Sequence, residues 1–157
     1  MSAVLRPTES WLPMSESDLA MVRVVEADIY EFPWTVGNFR DSLASGYDCR
    51  VLRDGPDLIG YAVLMSGAGE AHLLNLSVAR PWQRRGVGSR MLARVLDAAR
   101  AAGCGILFLE VRPSNDAGRQ LYARRGFRQV GLRRNYYPAR DGREDALVLA
   151  ISLEAQA

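Results

Sequence analysis

The chain has 157 residues, which fits a single domain over residues 1–157, because domains most often run to about 100–150 residues. With 48% hydrophobic and 24% charged residues it can bury an ordinary globular core, so a wholly disordered chain is excluded. The net charge is +2, but residues 1–79 hold 5 arginines and 11 acidic residues whereas residues 80–157 hold 15 and 7, so the second half should attract an anion.

The lengths of the hydrophobic runs and the positions of the cysteines predict where in the cell the protein is found and whether its thiols bind a metal. The longest unbroken apolar run, Ala146 to Ile151, is far shorter than the roughly 20 residues that a membrane span needs. Residues 1–20 contain no signal-peptide core, so we expect a soluble cytoplasmic protein that does not bind membranes. Cys49 and Cys104 form no C-x-x-C pair, and we expect reduced structural thiols and no metal site.

Helix and strand patterns alternate with turn residues along the first half of the chain. A helix is predicted to start at Ser15 to Asp18, with apolar residues at near-helical spacing until Phe32-Pro33 stops it. A short second helix is predicted around Phe39. Three strands joined by short turns, and therefore antiparallel, are predicted at Asp48 to Arg53, Leu58 to Met65 and Ala71 to Val78.

In the second half, the apolar spacing becomes helical after Pro81 and stops at Gly103. A strand from Ile106 to Val111 follows, so the chain from Leu73 onwards predicts a strand, a helix and a second strand joined as a parallel crossover. A helix and two closing strands are predicted at Asn115 to Arg125, Phe127 to Tyr137 and Ala146 to Leu153. The predicted fold is α/β, a mixed sheet with helices on both faces.

A glycine-rich stretch between a strand and a helix, Gln83 to Ser89, could bind an anion. Backbone N–H groups at a helix start, with no Cβ at two glycines, let a pyrophosphate approach closely, and two arginines add positive charge. The stretch is neither a P-loop nor a dinucleotide-binding fingerprint, because no Gly-Lys-Ser/Thr follows and Met91 stands where the third glycine would be. A flexible turn with solvated arginines is the open alternative.

Two side chains further along could exchange protons. Glu110 lies at the C-terminal end of a predicted strand, where ligands of parallel sheets gather, and a carboxylate there could act as a general base. An alternating strand that points Glu110 at water is the open alternative. Tyr122, on the helix that follows, could donate a proton to a leaving group or could simply pack.

The order and spacing of these motifs resemble the GNAT acyl-CoA N-acetyltransferases over roughly residues 74–127. The shared segments are Gln83-x-x-Gly86-x-Gly88, Leu109-Glu110-Val111-Arg112 with Ser114-Asn115, and Leu121-Tyr122 with Gly126-Phe127. Two further segments resemble the members that acetylate the N-terminal alanine of ribosomal small-subunit protein eighteen: Phe32-Pro33-Trp34-Thr35, and Arg133 to Pro138 followed by Gly142 to Ala146.

The resemblance implies a fold, a reaction and a set of site residues. The fold is a single GNAT-like domain with a mixed seven-stranded sheet splayed between strands 4 and 5, where acetyl-CoA lies. Glu110 accepts a proton from the amine of a ribosomal protein N-terminus, Tyr122 protonates the departing thiolate, and no covalent intermediate forms. The implied cofactor-binding residues are Leu76, Ser77, Val78, Gln83, Arg84, Arg85, Gly86, Val87, Gly88, Ser89 and Asn115, and the residues expected to bind the peptide are Trp34, Tyr136 and Tyr137.

Three other functions stay open from the sequence. One is a GNAT enzyme acting on lysine, other protein N-termini or small amines, and another is a non-catalytic acyl-CoA-binding module. The third is a nucleic-acid binder, which we do not expect, because the arginines are scattered rather than gathered in a stripe with aromatic residues.

Gly118 departs from the helical pattern predicted for Asn115 to Arg125, at a cost of about 1 kcal/mol relative to alanine. It indicates either loose packing or a close approach of another group at this position.

Overall fold

The residues that the structure, a computed structural model, describes are 8–154, and they form seven strands and four α-helices. None of the helices in this range is long and apolar enough to cross a membrane. The strands are β1 Glu9–Pro13, β2 Asp48–Asp54, β3 Asp57–Gly67, β4 Glu70–Val78, β5 Ile106–Val111, β6 Arg128–Ala139 and β7 Gly142–Ser152. The helices are α1 Leu19–Ile29, α2 Val36–Ala44, α3 Val87–Ala101 and α4 Asp116–Arg125, with short 3-10 turns at Glu16–Asp18 and Arg80–Trp82.

The predicted helices and strands are all present, with ends that shift by a few residues. The bounds of β5 are those predicted, whereas α1 ends at Ile29, before the predicted stop at Phe32. Strand β1 did not emerge from the residue patterns. It is a five-residue edge strand whose partner is distant in sequence, with Trp11 opposite Leu52 of β2, and short strands of this kind depend on their neighbours more than on their own composition.

The strands form one sheet in the order β1-β2-β3-β4-β5-β7-β6, which confirms the predicted seven-stranded sheet. β2 and β3 are antiparallel, as their short turn predicts, and β7 is antiparallel to both β5 and β6. Beside β5, the start of β4 runs in the same direction: Gly105 N donates to Gly69 O at 2.8 Å, and His72 stacks on Phe108 at 5.5 Å. The sheet is therefore mixed, and the predicted parallel crossover is confirmed.

Two compact units divide the chain, Met1–Met65 with Leu73–Ala98 and Ser66–His72 with Ala99–Ala157. We call them the first and second units. The expectation of a single domain over residues 1–157 stays a prediction.

In the first unit, helices cover both faces of the strands. Phe39 of α2 packs in one buried cluster with residues of α1 and with Tyr61 of β3, and Met91 of α3 packs in another with Ile59 of β3. Ile59 and Tyr61 would share a face of a regular strand. A bulge where β3 pairs with β2 shifts the alternation between them, so that each joins a different cluster.

In the second unit, β5 alternates between buried and half-buried residues, with Leu107, Leu109 and Val111 in the core. Glu110 is thereby directed to the other face of the strand. Helix α4 ends at Gly126, as predicted, with a left-handed φ of 103° that suits glycine.

Candidate active site

The predicted anion-binding stretch, residues 83–89, forms the turn that leads into α3. Arg84 and Gly86 have left-handed φ angles of 63° and 76°, and helical bonding begins with Arg90 N donating to Gly86 O at 3.2 Å. A Cβ at Gly86 would meet only Arg90 Nη1, at 3.9 Å, so the turn has an open face. The first N–H groups of a helix have no acceptor within it, and together with the helix dipole they favour an anion.

Side-chain contacts hold this turn at its first residues. Gln83 Nε2 donates to Val78 O at 2.9 Å, which joins the turn to the end of β4. The exposed Arg85 guanidinium lies 5.6 Å from the centre of the Trp82 ring. These contacts favour an ordered turn over the flexible one that was the open alternative.

The end of β4 carries the residues predicted to hold the pantetheine arm. Ser77 is buried and its Oγ donates to Asn75 Oδ1 at 2.6 Å. The Tyr30 hydroxyl lies 2.7 Å from Ser77 Oγ and 3.4 Å from Leu76 O. Because a carbonyl oxygen has two lone pairs, Leu76 O and Val78 O keep the capacity to accept a bond from a ligand.

Trp34, predicted to bind the peptide, follows α1 and is tied to a buried carboxylate. Its ring centre lies 5.1 Å from that of Phe39, and its backbone N–H donates to Glu26 Oε2 at 2.9 Å. Glu26 is only 2% exposed, and its Oε1 accepts from Tyr61 OH at 2.6 Å and from Asn75 Nδ2 at 3.3 Å. Sequence reasoning missed Glu26, although an acidic residue on the apolar face of a helix is a signal that it needs buried partners.

Burial also keeps the phenols around Glu26 protonated. It raises the pKa of Tyr30 to about 12, with the Glu26 charge adding to the rise. Burial and the same charge raise the pKa of Tyr61 further. Both hydroxyls therefore act as hydrogen-bond donors at neutral pH.

In the second unit, Glu110 lies one residue from the end of β5, as predicted. Its side chain is 14% exposed, and Oε1 lies 3.3 Å from Arg133 Nε of β6. In the register of the sheet Glu110 stands opposite Val148 of β7. The Glu110 side chain is therefore largely covered by its neighbours, and sequence reasoning missed Arg133 as its partner.

A wide bulge in β6 presents the two predicted peptide-binding tyrosines. Arg133 pairs with Ala146 and Tyr137 with Glu144, so residues 134–136 stand against one residue of β7. The rings of Tyr136 and Tyr137 meet edge to face at 4.9 Å, and Tyr136 is 45% exposed. Burial raises the pKa of Tyr137, and the Glu110 charge raises it further.

A cluster of hydrogen bonds fixes the loop after β5. Glu144 accepts from Ser114 N at 2.9 Å, from Ser114 Oγ at 3.0 Å and from Arg112 Nη1 at 3.1 Å, and the Arg112 guanidinium lies 4.4 Å from the centre of the Tyr137 ring. Burial alone would raise the pKa of Glu144, but the bonds from Ser114 and Arg112 outweigh it and lower that pKa. Arg112 therefore connects the loop after β5, through Glu144, with the ring of Tyr137.

Asn115 and Tyr122 lie on α4, and the structure gives each a packing contact. Asn115 is the N-cap, with Oδ1 accepting from Gly118 N at 2.9 Å, and a Cβ on Gly118 would lie 2.6 Å from Asn115 Nδ2. This close approach of the Asn115 side chain explains why a glycine stands at position 118 within the helix. Tyr122 is 9% exposed and packs edge to face on Phe127 at 5.4 Å.

Side chains that commonly bind metal ions are not grouped together in the residues that the structure describes. No three or more His, Cys, Asp or Glu side chains between residues 8 and 154 could together hold a metal ion. Cys49 and Cys104 are buried free thiols, as expected, and burial raises the pKa of Cys49 to about 11.

Comparison with known proteins identifies the family. Residues 19–127 match the acetyltransferase (GNAT) family. The chain belongs to this family. It is 34% identical over 140 residues to the [ribosomal protein bS18]-alanine N-acetyltransferase of Escherichia coli (strain K12), with 89% of this chain and 95% of that protein covered.

Two further relatives support the narrower resemblance. The chain is 37% identical over 134 residues to the N-alpha-acetyltransferase RimI of Mycobacterium tuberculosis, with 79% of this chain and 81% of that protein covered. The crystal structure of the ribosomal-protein-S18-alanine N-acetyltransferase from E. coli matches with a TM-score of 0.87 and 32% identity, over 95% of this chain and 96% of that chain. The predicted fold is confirmed, and so is the predicted similarity to the family members that acetylate the N-terminal alanine of ribosomal small-subunit protein eighteen.

Proposed function

We propose that this GNAT enzyme transfers the acetyl group of acetyl-CoA to the N-terminal alanine of ribosomal protein bS18. The observation that carries the proposal is its similarity, across most of both chains, to the bS18-alanine N-acetyltransferase of E. coli. The enzyme class is a peptide α-N-acetyltransferase with acetyl-CoA as co-substrate. We also propose that it acts in the cytoplasm, where ribosomal proteins are made.

Backbone groups of the first unit would hold acetyl-CoA. The open face at Gly86 suits the pyrophosphate, which would accept from the first N–H groups of α3, with the exposed Arg84 and Arg85 adding charge. The main chain of residues 76–78 would hold the pantetheine arm. The N–H groups near Val78 would stabilise negative charge on the thioester oxygen. Asn115 would add a further contact, with its Oδ1 already occupied as the cap of α4.

Glu110 would accept the proton that the substrate ammonium loses, directly or through one water. The amine nitrogen then attacks the thioester carbonyl carbon, a C–N bond forms, and the C–S bond breaks. Tyr122 would give its proton to the departing sulfur, and the second proton that the nitrogen loses as it becomes an amide would restore the Tyr122 hydroxyl. At pH 7 deprotonating an α-amine of pKa about 8 costs roughly 1.4 kcal/mol, whereas a lysine of pKa about 10.4 costs roughly 4.6 kcal/mol, so the α-amine asks less of the base.

Aromatic side chains would hold the peptide terminus. Tyr136 lies in the β6 bulge and Tyr137 directly follows it, and the bulge begins after Arg133, whose Nε lies 3.3 Å from Glu110 Oε1. The Trp34 side chain is half-buried, and the backbone N–H of Trp34 is hydrogen-bonded to Glu26. Rigid aromatic groups of this kind give contact area at low entropic cost.

Mass spectrometry of a synthetic peptide tests the proposal. A peptide with the N-terminal sequence of bS18, starting at its alanine, is incubated with enzyme and acetyl-CoA, next to the same peptide with its N-terminus blocked. We expect one acetyl group on the free peptide and none on the blocked one. No gain in mass under conditions where calorimetry shows acetyl-CoA bound would contradict the proposal.

A further inference from the structure

We propose that Glu26 is a positioning residue of the reaction, which fixes the segment carrying Trp34 and the β4 residues Leu76 and Ser77 in one arrangement. The inference rests on the proposed function, because it takes Trp34 to touch the peptide and β4 to hold acetyl-CoA. All the residues involved belong to the first unit.

The Glu26 carboxylate collects donors from three separate parts of the chain. Trp34 N lies beyond the end of α1, Tyr61 OH comes from β3 and Asn75 Nδ2 comes from β4, at 2.9, 2.6 and 3.3 Å. At 2% exposure the carboxylate depends on these donors, because a buried charge without partners is strongly unfavourable. The position of the Glu26 carboxylate therefore determines, and is determined by, the positions of its three donors.

The hydrogen bonds continue from Glu26 along β4 with a defined direction. Ser77 Oγ donates to Asn75 Oδ1 at 2.6 Å, so its hydrogen is used and it accepts from the Tyr30 hydroxyl at 2.7 Å. Tyr30 OH also lies 3.4 Å from Leu76 O. The hydrogen bonds from Tyr30 to Ser77, from Ser77 to Asn75 and from Asn75 to Glu26 thus all run toward Glu26. This series starts at the residue that follows α1 and ends on α1.

Two features argue for positioning rather than for proton transfer by Glu26. The carboxylate is covered on all sides by protein, so it does not touch a substrate. A glutamine amide would keep a hydrogen bond to each partner, because its oxygen can accept from Trp34 N while its NH₂ donates to the Tyr61 hydroxyl oxygen and to Asn75 Oδ1. The bonds of Asn75, Ser77 and Tyr30 are then reversed, and the Tyr61 hydroxyl accepts from residue 26 and no longer donates to it. The arrangement needs hydrogen bonds at this point more than it needs a charge.

Kinetics of Glu26→Ala and Glu26→Gln test the inference, with Glu31→Gln as the control at an exposed acidic residue of the same segment. We expect Glu26→Ala to raise KM for the bS18 peptide about tenfold, and KM for acetyl-CoA about threefold, while Glu26→Gln and Glu31→Gln stay within about threefold of the wild type. Unchanged KM values in Glu26→Ala, with only the yield or melting temperature lowered, would overturn the inference. So would a Glu26→Gln variant as impaired as Glu26→Ala, because a charge would then be required.

A second measurement keeps the inference separate from the proposed function. If Glu26→Ala does not fold, Glu26→Asp replaces it, because the shorter side chain cannot reach all three donors and should raise KM for the peptide in the same way. Hydrogen exchange at the Trp34 amide needs no turnover, and we expect it to be about tenfold faster in the Glu26 variant than in Glu31→Gln. Equal exchange rates overturn the inference, whereas a wild type that exchanges as expected but does not acetylate the peptide contradicts only the proposed function.

Discussion

The groups that we propose for the reaction differ in kind between the two units. In the first unit they belong to the backbone, in the Gly86 turn, the first turn of α3 and the end of β4. In the second unit they are side chains, with Glu110 paired to Arg133 and Tyr137 under Arg112. Backbone donors suit a ligand of fixed shape and charge, whereas titratable side chains suit proton transfer. Replacing side chains should therefore slow turnover in the second unit, and distorting the backbone should weaken affinity in the first.

Glu110→Gln should have the largest effect on turnover. It removes the proposed base but keeps its size, so we expect kcat to fall about 100-fold or more, with acetyl-CoA affinity within a few-fold of the wild type. Steady-state kinetics and calorimetry check both values. Glu70→Gln, at an exposed acid at the start of β4, is the control and should keep its turnover. A Glu110→Gln enzyme with normal kcat would remove Glu110 from the chemistry.

Tyr122→Phe should come next. The ring keeps its packing on Phe127 while the proton for the leaving thiolate is lost, so we expect kcat to fall about tenfold with little change in melting temperature. Tyr47→Phe, at a half-buried tyrosine of the first unit, is the matched control. If Tyr122→Phe alters only KM, the hydroxyl binds substrate and does not donate the proton.

Gly86→Val tests the backbone part of the site. A β-branched residue at a φ of 76° costs on the order of 1–2 kcal/mol, and the displaced turn should weaken acetyl-CoA binding about tenfold by calorimetry. Gly46→Val is a close control, because Gly46 has a φ of 77° and nothing within 4 Å of its Cβ position. It should lose similar stability and keep its affinity. Equal affinity losses in the two variants would show that strain alone, and not the turn, is responsible.

Glu144→Gln should change stability in a pH-dependent way. Because the pKa of Glu144 is lowered on folding, its ionised form stabilises the protein above its unfolded pKa of about 4.3, and this contribution is lost as pH falls through the folded pKa. Urea unfolding should show the variant less stable than the wild type at pH 7, with the gap closing toward pH 3. A gap that stays constant over this range would assign the loss to packing.

Gly118→Ala should have the smallest effect. Alanine normally stabilises a helix by up to about 1 kcal/mol, but here its Cβ would displace the Asn115 cap, which is worth about as much. We expect no net gain in stability. In Gly37→Ala the Cβ would lie at an ordinary 3.5 Å from Thr35 Oγ1, and thermal unfolding should show a gain. A gain of the same size in both variants would contradict the role of Gly118.

The elements that local patterns could predict are those whose causes are local. The bounds of β5, the stop of α4 at Gly126 and the place of Glu110 on its strand follow from alternation, a left-handed glycine and strand geometry. The pairing of Glu110 with Arg133 could not be predicted, because it depends on β7 lying between β5 and β6. The partners of Glu26 likewise lie 8, 35 and 49 residues away. Contacts of that kind follow from the assembled sheet and not from neighbouring residues.

The choice of acceptor amine distinguishes acetylation of a protein N-terminus from acetylation of a lysine side chain. Two peptides, one with the free alanine N-terminus of bS18 and one with a blocked N-terminus and an internal lysine, are mixed in equal amounts with enzyme and acetyl-CoA, and mass spectrometry follows both over time. We expect the first peptide to be acetylated while the second remains unmodified. Acetylation of the lysine peptide at an equal or greater rate would contradict the proposed function.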